Sequence, residues 1–521
     1  MSKSSNIVIV GGGHNGLVCA IYLARNGHRV TILEASNQIG GAAITSEICP
    51  DFRVSRCAHL FYGLHPDVWK DLRPDAIGLQ FSATHIPTIA LNRDGQHLTI
   101  ENDVTRTSKN LTAFSKTDAE SYQRFEQRIE KFCYILRKTY TKNPPRLKNG
   151  GWSDRSDLLN LGLQVRMLGK QDMRELLRVA GMNMADWLTE HFDTPLLQGA
   201  HAFDATLGTR YGPRAPNTVL TYLHRRAHIW NGLAHPIGGM GSLSDTLATI
   251  AMQLGVEVRT GAAVKNVIMQ NDCASGVELE SGDMLFANAV VSNADPKTTF
   301  LSLLGNEHLD TGFMRRIRDI PTKGNAAKIN IALNELPQFN GLTAHESGAR
   351  LIIAPSIEAI EQAHDYSKYG EFSESPVMEI TIPSVHDKTL APQGKHVLSA
   401  VVQYAPYDLK EGWDNERAKV IEKVIDTLSI YAPGIRNKIV ETQLLSPADV
   451  ESQFNTTGGH WHHGEVGLER FMMLRPVPGC AQYATPVPGL FLCGAGCHPG
   501  GGVMGAAGMN AARAVMREIS R

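Results

Sequence analysis

The sequence predicts an α/β fold in which a Rossmann-type domain is interleaved with a mixed α+β domain that carries a helical insertion. Three observations support it. A short apolar run at residues 7–10 leads through a glycine-rich turn into an apolar pattern with helical spacing. The same texture resumes after a glycine turn at residues 238–241 and again after residue 490. The stretches between have other patterns, so we expect each domain to be assembled from separate parts of the chain.

The N-terminal elements are predicted to form a strand–helix–strand crossover. After the first strand, apolar residues recur at helical spacing from Leu17 to Ala24, and Gly27 ends the helix. A second strand, residues 29–33, finishes at Glu34. Crossovers between parallel strands are right-handed in almost all known cases, so the geometry of this unit is nearly fixed.

The turn inside this crossover carries a nucleotide-binding pattern. Gly11, Gly13 and Gly16 form a G-x-G-x-x-G between the strand and the helix. Gly11 permits the tight turn, Gly13 lets a pyrophosphate approach the backbone, and Gly16 lets the helix pack on the strand. The helix N-terminus then offers its amides to the phosphates, and Glu34 can accept hydrogen bonds from the adenosine ribose. A carboxylate there repels a 2′-phosphate, so FAD or NAD is favoured over NADP.

Two further glycine turns favour FAD over NAD. The first, at residues 40–41, is one that a plain NAD-binding fold does not need. The second is a C-terminal loop at residues 494–505, which follows a predicted strand and precedes a predicted helix. Its Gly500, Gly502 and Gly505 repeat the G-x-G-x-x-G spacing, but the 16 residues that follow leave no room for a second nucleotide domain. We therefore expect this loop and helix to face the same cofactor, with partial positive charge where a flavin accumulates negative charge.

Helical patterns dominate residues 75–230. One amphipathic helix has an apolar face marked by Tyr122, Phe125, Ile129, Phe132, Leu136 and Tyr140. A helical insertion at about 156–192 contains Leu158, Leu159, Leu161, Leu163, Met167 and Leu168. We expect these insertion residues to be buried in the core. The alternative is that they make a peripheral membrane contact, which would form an entrance for a lipid-soluble substrate.

The remaining elements alternate between the two textures. Residues 238–300 predict a helix, strands at 256–258 and 264–269, a hairpin at 274–279 and 284–287, and a strand at 289–292. Residues 300–455 predict strands at 327–333, 378–382 and 397–404 and a helix at 416–431, which Asp414 caps. We place the Rossmann-type domain at 1–75, 230–300 and 455–521, and the second domain at 76–229 and 301–454.

Four histidines are candidate proton acceptors. His460, His462 and His463 lie together on a glycine-flanked loop, and imidazoles accept protons near neutral pH. His498 lies inside the C-terminal glycine loop, where it can face the cofactor or simply precede Pro499 in a turn. The three clustered histidines can also be ordinary loop structure, and a metal site there lacks an evident carboxylate partner. We predict no metal site.

Composition excludes several classes of protein. The 521 residues contain 51 Lys and Arg against 52 Asp and Glu, so a general electrostatic attraction to nucleic acid is not expected. The eight cysteines include no C-x-x-C pair, which argues against dithiol chemistry and favours a reducing compartment. No apolar run approaches the roughly 18 residues of a spanning helix. We expect a cytoplasmic protein, with peripheral membrane association as the alternative.

Several segments resemble the phytoene desaturase-like flavoproteins. They are residues 7–34 with 40–41, 236–241, 290–296 and 488–512, and they span nearly the whole chain in order. The resemblance implies an FAD-binding domain of the glutathione-reductase type with a substrate-binding domain inserted into it. It also implies removal of hydrogen from apolar, often isoprenoid, substrates. By motif match it places FAD against Gly11, Gly13, Gly16, Glu34, Gly41, Val264, Gly494, Gly502, Val503 and Gly505.

The expected function is therefore an FAD-dependent dehydrogenase or oxidase that abstracts hydride from a small hydrophobic substrate, with carbon–carbon desaturation as the leading reaction. A flavin amine oxidase is the alternative enzyme, and a flavin-stabilised regulatory protein without turnover is the alternative outside enzymes. With one dinucleotide site and no redox cysteines, the electron acceptor is expected to be oxygen, a quinone or a protein. The oligomeric state has no signal in the sequence.

Overall fold

The computed structural model describes residues 4–146 and 150–520. The α-helices are α1 (His14–Arg25), α2 (Pro66–Leu72), α3 (Val104–Leu111), α4 (Lys116–Tyr140), α5 (Trp152–Met167), α6 (Gly169–Val179), α7 (Met184–Thr189), α8 (Pro195–Thr206), α9 (Thr218–His228), α10 (Gly241–Gln253), α11 (Thr311–Arg318), α12 (Ile357–Lys368), α13 (Trp413–Tyr431), α14 (Pro447–Phe454) and α15 (Ala506–Ile519). The strands are β1 (Asn6–Val10), β2 (Arg29–Leu33), β3 (Thr45–Cys49), β4 (Phe52–Ser55), β5 (Phe81–Ile86), β6 (Thr88–Ala90), β7 (Leu98–Ile100), β8 (Leu233–Pro236), β9 (Glu257–Arg259), β10 (Val264–Gln270), β11 (Cys273–Leu279), β12 (Met284–Phe286), β13 (Ala289–Ser292), β14 (Ala326–Leu333), β15 (Arg350–Ile353), β16 (Val377–Thr381), β17 (His396–Gln403), β18 (Ile439–Leu445) and β19 (Leu490–Leu492).

A five-stranded parallel sheet joins distant parts of the chain. Its order is β19-β13-β1-β2-β9, so the first strand lies between its neighbour in sequence, β2, and β13 from the middle of the chain. Val8 pairs with Val290 on one side and Thr31 on the other, and Val290 pairs with Leu490. β1 is apolar because both faces of the sheet are covered, and Ile7, Val8, Ile9 and Val10 are all buried. The predicted α/β fold class is confirmed. Only β13 separates β1, near the start of the chain, from β19, near its end.

The second sheet has seven strands in the order β18-β14-β17-β16-β15-β6-β7. Its pairs are antiparallel except for β15 with β6. Helix α13 packs on it and begins earlier than predicted, at Trp413 after the cap residue Gly412. The prediction that Asp414 caps this helix was wrong, because Asp414 lies in its first turn, where a carboxylate still favours the helix dipole.

Two predictions concern the helices α4 and α5. The one for α4 is confirmed, and the one for α5 is not. The apolar face of α4 is buried, including Tyr122, Phe125 and Phe132. Helix α5, by contrast, has no buried residue along its whole length. The expectation of core burial was therefore wrong for Leu159, Leu163 and Met167, which are exposed, whereas Leu158 and Leu161 are half-buried and Leu168 packs against the core. Periodicity was uninformative here because apolar residues occur on every side of this helix.

Candidate functional site

The first glycine turn has the geometry that its sequence requires. Gly11 has φ +96°, and a Cβ at Gly16 would lie 2.3 Å from the Gly11 carbonyl oxygen. Gly13 caps α1 with no side chain accepting from the first-turn amides. A Cβ at Gly13 would meet within 4 Å only the side-chain amide of Asn293. The turn therefore leaves the N-terminus of α1 approachable by an anion.

Glu34 and the second glycine turn lie against this loop. The Glu34 carboxylate accepts from the Gly12 amide at 2.7 Å and from the Ser36 amide at 2.9 Å. Gly41 is so close to Gly13 that a Cβ on it would lie 3.3 Å from the Gly13 Cα. These residues form one surface at the carboxyl end of β1 and β2.

Val264 reaches the same neighbourhood from the middle of the chain. It is half-buried at the start of β10, two residues after Ala262, whose amide donates to the Glu34 carbonyl at 2.8 Å. No local pattern around Val264 signals this placement. It follows from the tertiary path that brings β9 alongside β2.

The C-terminal loop meets the N-terminal loop directly. His14, the first residue of α1, donates from Nε2 to the Gly502 carbonyl at 3.1 Å. Gly505 caps α15 in the left-handed region, and a Cβ on it would lie 3.0 Å from Val18 of α1. A Cβ at Gly508 would lie 2.1 Å from the Asn15 carbonyl oxygen. The N-termini of α1 and α15 therefore lie next to each other.

Gly494 and Val503 pack against the protein interior rather than on the surface of the 494–505 loop where the cofactor is expected. Gly494 follows β19, and a Cβ on it would lie 2.6 Å from the Asn293 carbonyl oxygen. The Val503 side chain is buried and belongs to the hydrophobic core under the five-stranded sheet. Both residues fix the path of the loop that carries Gly502.

The clustered histidines divide into one that is paired and two that are not. His460 donates from Nε2 to Glu465 at 3.0 Å, and both side chains are buried. The His462 ring packs on Gly501, leaving no room for a Cβ there, and its Nδ1 has no partner among the described residues. The His463 Nδ1 is also unpaired. The structure therefore brings His462 and His463 to the C-terminal glycine loop and turns His460 away to Glu465.

Burial changes the chemistry expected of these imidazoles. Desolvation lowers the pKa of His463 to about 4 and holds the pKa of His462 well below its ordinary value. The expectation that they titrate near neutral pH was wrong. Both rings are neutral at physiological pH, when a neutral imidazole can still accept a proton.

Two histidines that the sequence analysis missed complete the group. His224 and His228 lie on one face of α9, four residues apart, and their rings pack against the loop at Gly500 and Gly502. Burial lowers the pKa of His224 to about 3 and that of His228 well below its ordinary value. The H-x-x-x-H spacing was the signal available in the sequence.

His498 lies within the same group. It donates from Nε2 to the Thr139 carbonyl at 3.0 Å, and burial lowers its pKa to about 4. Around the C-terminal loop, five buried ring nitrogens have no partner among the described residues. They are His224 Nε2, His228 Nε2, His462 Nδ1, His463 Nδ1 and His498 Nδ1. We refer to these five side chains as the histidine ring.

Arg475 holds the histidine loop against the C-terminal glycine loop. Its guanidinium is buried, and desolvation lowers its pKa to about 10. Its donors contact only backbone carbonyls, so no side-chain carboxylate neutralises it directly. The acceptors are His462 (2.6 Å), Glu465 (3.0 Å), Ala495 (3.0 Å), Gly464 (3.2 Å) and Cys497 (3.3 Å). No sequence pattern marks this residue, because its partners are backbone atoms from two distant segments.

A second buried cluster lies beside the turn at residues 40–41. Lys328 of β14 donates to His59 Nδ1 at 2.6 Å, and His59 donates to Glu379 at 2.9 Å. The backbone around His59 follows that turn, since the Ala58 amide donates to the Ala42 carbonyl at 3.0 Å. Burial lowers the pKa of Lys328 to about 7, so this amine is a base available near neutral pH.

The charged side chains next to the Lys328–His59 pair form ion pairs with one another. Glu379 and Asp204 are each paired with both Arg225 and Arg350. The two guanidiniums keep the pKa of both carboxyls below their usual range despite burial. No net charge therefore remains there to attract an ionic substrate.

The cysteines of the loop are unreactive. Cys493 and Cys497 are buried free thiols, and burial raises the pKa of each well above its ordinary value. Nucleophilic thiol chemistry needs a thiolate, so dithiol exchange has no support here. Among the described residues, two groups of side chains have the spacing of metal ligands, with ligand atoms within 4.8 Å of one another. Neither group includes any of the five side chains of the histidine ring.

These features fit FAD. Two helix N-termini without side-chain caps suit a pyrophosphate and an electron-rich ring system, and Gly13 and Gly41 leave backbone exposed to a close ligand. The unpaired nitrogens of the histidine ring are buried polar atoms that lack the partner a bound ring would provide. Gly11, Gly13, Gly16, Glu34 and Gly41 would hold the nucleotide half, and the 494–505 loop would face the other half.

Comparison with known proteins defines the class. The flavin-containing amine oxidoreductase family matches residues 16–516, and the chain belongs to this family. It is 34% identical to rat pyridine nucleotide-disulfide oxidoreductase domain-containing protein 2, over 98% of this chain and 93% of that protein. It is 26% identical to a lycopene-forming phytoene desaturase of Pseudescherichia vulneris, over 96% of each chain.

Solved structures agree with the fold. The cyclohexylamine oxidase of Brevibacterium oxydans has a TM-score of 0.59 at 15% identity, over 99% of this chain and all of that one. The protein is thus an FAD-dependent oxidoreductase, as the glycine turns predicted. No helix within the described residues has the length and apolar character needed to cross a membrane.

Proposed function

We propose that the protein is an FAD-dependent dehydrogenase of a small hydrophobic, polyene or isoprenoid-like substrate, with carbon–carbon desaturation as its reaction. The observation that carries this proposal is the histidine ring: His224, His228 and His498 are buried, His462 and His463 are half-buried, and the lowered pKa of each keeps all five imidazoles neutral. Neutral rings do not attract ions, and they accept a proton without first losing one.

The surroundings of the ring support an apolar substrate. His224 meets Phe471 edge-on, with 6.1 Å between ring centroids, and Phe471 packs with Leu220 and Val466 in a small buried apolar cluster. An aromatic and aliphatic surface beside neutral imidazoles suits a hydrocarbon chain. The relative from Pseudescherichia vulneris is named for desaturation of such a chain.

The reaction balances with the groups present. Desaturation removes two hydrogens from adjacent carbons: FAD, when bound, would accept one as a hydride, and a base of this chain would accept the other as a proton. We propose that an unpaired nitrogen of the histidine ring accepts that proton; burial makes these imidazoles weak bases, and Lys328, whose pKa is lowered to about 7, is the alternative base. We propose that oxygen, a quinone or another protein then takes the electrons.

Amine oxidation is the second candidate, and one atom favours it. Glu465 is buried, and its Oε2 has no partner among the described residues, while Oε1 accepts from His460 and from the Arg210 amide. An unpaired buried carboxylate oxygen is the group that binds a substrate ammonium. The family description also names amine oxidoreduction.

An anaerobic reduction screen separates these functions. The FAD-loaded protein is mixed with isoprenoid polyenes or with amines, and the loss of oxidised-flavin absorbance is followed. We expect bleaching by a polyene and none by amines. Bleaching by amines alone would overturn the proposal, and tight FAD binding with no bleaching by any substrate would favour a regulatory protein without turnover.

Glu465→Gln sharpens the comparison, with exposed Glu469→Gln on the same loop as the matched control. If amines are substrates, removing one charge-assisted hydrogen bond of about 1.5–3 kcal/mol lowers their kcat/KM by about 10- to 150-fold. A hydrocarbon forms no such bond, so we expect its kcat/KM to be unaffected by the loss of this charge.

The electron acceptor is identified by a separate measurement, the rates of flavin reoxidation with oxygen and with a soluble quinone.

A further inference from the structure

Helix α5 has two apolar faces, and one of them is uncovered. Four residues of one face are half-buried, and they are Leu158, Leu161, Val165 and Leu168. The opposite stripe is open to solvent, with exposed fractions of 85% for Trp152, 75% for Leu159, 57% for Leu163 and 68% for Met167. Leu177 of α6 adds a fifth side chain at 68%. Isolated exposed leucines are ordinary, but a contiguous stripe marks an interaction surface.

The rim of this stripe is positively charged. Arg166, Lys170 and Arg174 are exposed and have no acidic partner within residues 4–146 and 150–520. Arg155 is exposed as well and stacks on Trp152, with 5.7 Å from its guanidinium to the ring centroid. We call the five apolar side chains and these four cations the α5 surface.

Three of the four acidic residues of α5 and α6 are engaged elsewhere, and the fourth, Asp157, is half-buried on the inner side of α5 rather than on the exposed stripe. Asp172 is paired with Arg128 and Lys131, and Glu175 is paired with Arg178. Asp154 accepts from the backbone amides at the start of α5. The segment has nearly balanced composition, yet the charges left unpaired on its outer side are cationic.

We propose that the α5 surface docks onto a lipid bilayer that contains anionic lipids. An apolar stripe with a tryptophan at its end and arginine and lysine along its side is the pattern of a helix that lies in the bilayer interface. The unpaired cations complement anionic headgroups. A second copy of the chain is a poorer occupant, because a two-fold interface would bring each cationic rim against its own copy.

Beneath α5 a narrow cleft reaches one member of the histidine ring, His498. The cleft lies between α4 and α5 and is lined by Lys138, Leu161, Gln164 and His498. Because α5 has no fully buried residue, little packing holds it over this cleft. Docking would place the cleft at the membrane, where a lipid-soluble substrate is concentrated. This last step rests on the proposed function, whereas the docking itself does not.

The test is vesicle flotation of the full-length FAD-loaded protein with phosphatidylcholine vesicles, with and without phosphatidylglycerol. We expect flotation only with the anionic vesicles, and weaker flotation at high salt. The double variants Leu159→Glu/Leu163→Glu and Arg166→Glu/Lys170→Glu each lower binding by about tenfold or more. Met252→Glu, which alters an exposed apolar residue of α10, is the control and leaves binding unchanged.

Two results would overturn the docking proposal. One is no flotation with either vesicle by protein that retains FAD. The other is a dimer in solution that both double variants convert to monomer, which would assign the α5 surface to a second copy. Failure of the docking is distinguishable from failure of the proposed function, because the latter appears as no flavin bleaching by any hydrophobic substrate. FAD content of each variant verifies that it is folded.

Discussion

Gly13→Ala separates cofactor binding from folding at the first glycine turn. The residue has φ −68° and ψ 167°, which any amino acid adopts. A methyl group there meets only the end of the flexible Asn293 side chain, 2.8 Å away, and this side chain can turn aside. We therefore expect the fold to remain stable. The methyl group nevertheless occupies the space through which a pyrophosphate approaches the α1 amides.

The expected loss follows from those amides. Displacing a phosphate by the width of a methyl group removes at least one hydrogen bond to a charged group, worth about 1.5–3 kcal/mol. That corresponds to an increase of about 10- to 150-fold in the Kd for FAD. Alanine at Gly16 acts differently, because its Cβ would lie 2.3 Å from a backbone oxygen and the turn itself must move.

The assay is titration of the apoprotein with FAD, followed by quenching of FAD fluorescence, together with thermal unfolding of each apoprotein. Gly162→Ala is the matched control, because a Cβ at Gly162 meets nothing within 4 Å. We expect weaker binding with an unchanged apoprotein transition for Gly13→Ala, and a lowered transition for Gly16→Ala. A Gly13→Ala protein that binds FAD with the wild-type Kd would refute the reasoning.

Three further predictions concern the buried groups. Arg475→Met leaves five carbonyls without donors, so at about 1 kcal/mol each the free energy of unfolding falls by about 5 kcal/mol, and an unchanged urea midpoint would contradict this. The pKa values of His224, His463 and His498 are lowered from 6.5 to about 3, 4 and 4, so the unfolded chain binds more protons as pH falls from 6.5 to 4. The free energy of unfolding then falls by up to about 1.4 kcal/mol per pH unit for each histidine, and denaturant curves that are flat over this window would exclude it. The pKa of Lys328 is lowered from 10.5 to about 7, so the unfolded chain binds more protons than the folded chain between pH 7 and 10.5. The free energy of unfolding therefore increases with pH over this window, and we expect Lys328→Met to remove that increase.

Glycine made the nucleotide-binding half of the site predictable. A positive φ at Gly11 and Gly505 and the close helix approach at Gly16 each depend on the absence of a side chain, so the residue type itself encodes the geometry. The strands on either side are short apolar runs, because the parallel sheet is covered on both faces. Local sequence was therefore sufficient to predict the crossover and the C-terminal loop.

The rest of the site depends on contacts that local sequence does not record. Arg475 binds carbonyls from two segments, and a lone arginine before a proline has no pattern that predicts this. His224 and His228 were marked only by a four-residue spacing within an ordinary helix. The lowered pKa of His463 results from burial by distant elements, so residue type alone indicated a neutral-range base that the fold does not provide.

Helix α5 shows a second limit of pattern analysis. Hydrophobic periodicity identifies a buried face only when the other face is polar. Leucines on both sides of α5 made burial the natural expectation, but the helix lies on the outside, and one leucine face is exposed.

The most direct test of the account is a crystal structure of the FAD-loaded protein. We expect the pyrophosphate at the N-terminus of α1 beside Gly13, the ribose at Glu34, and the isoalloxazine against the 494–505 loop and the histidine ring. The central claim is that both ends of the chain hold one FAD. A cofactor that contacts the N-terminal turn while its ring system lies away from the C-terminal loop would contradict it.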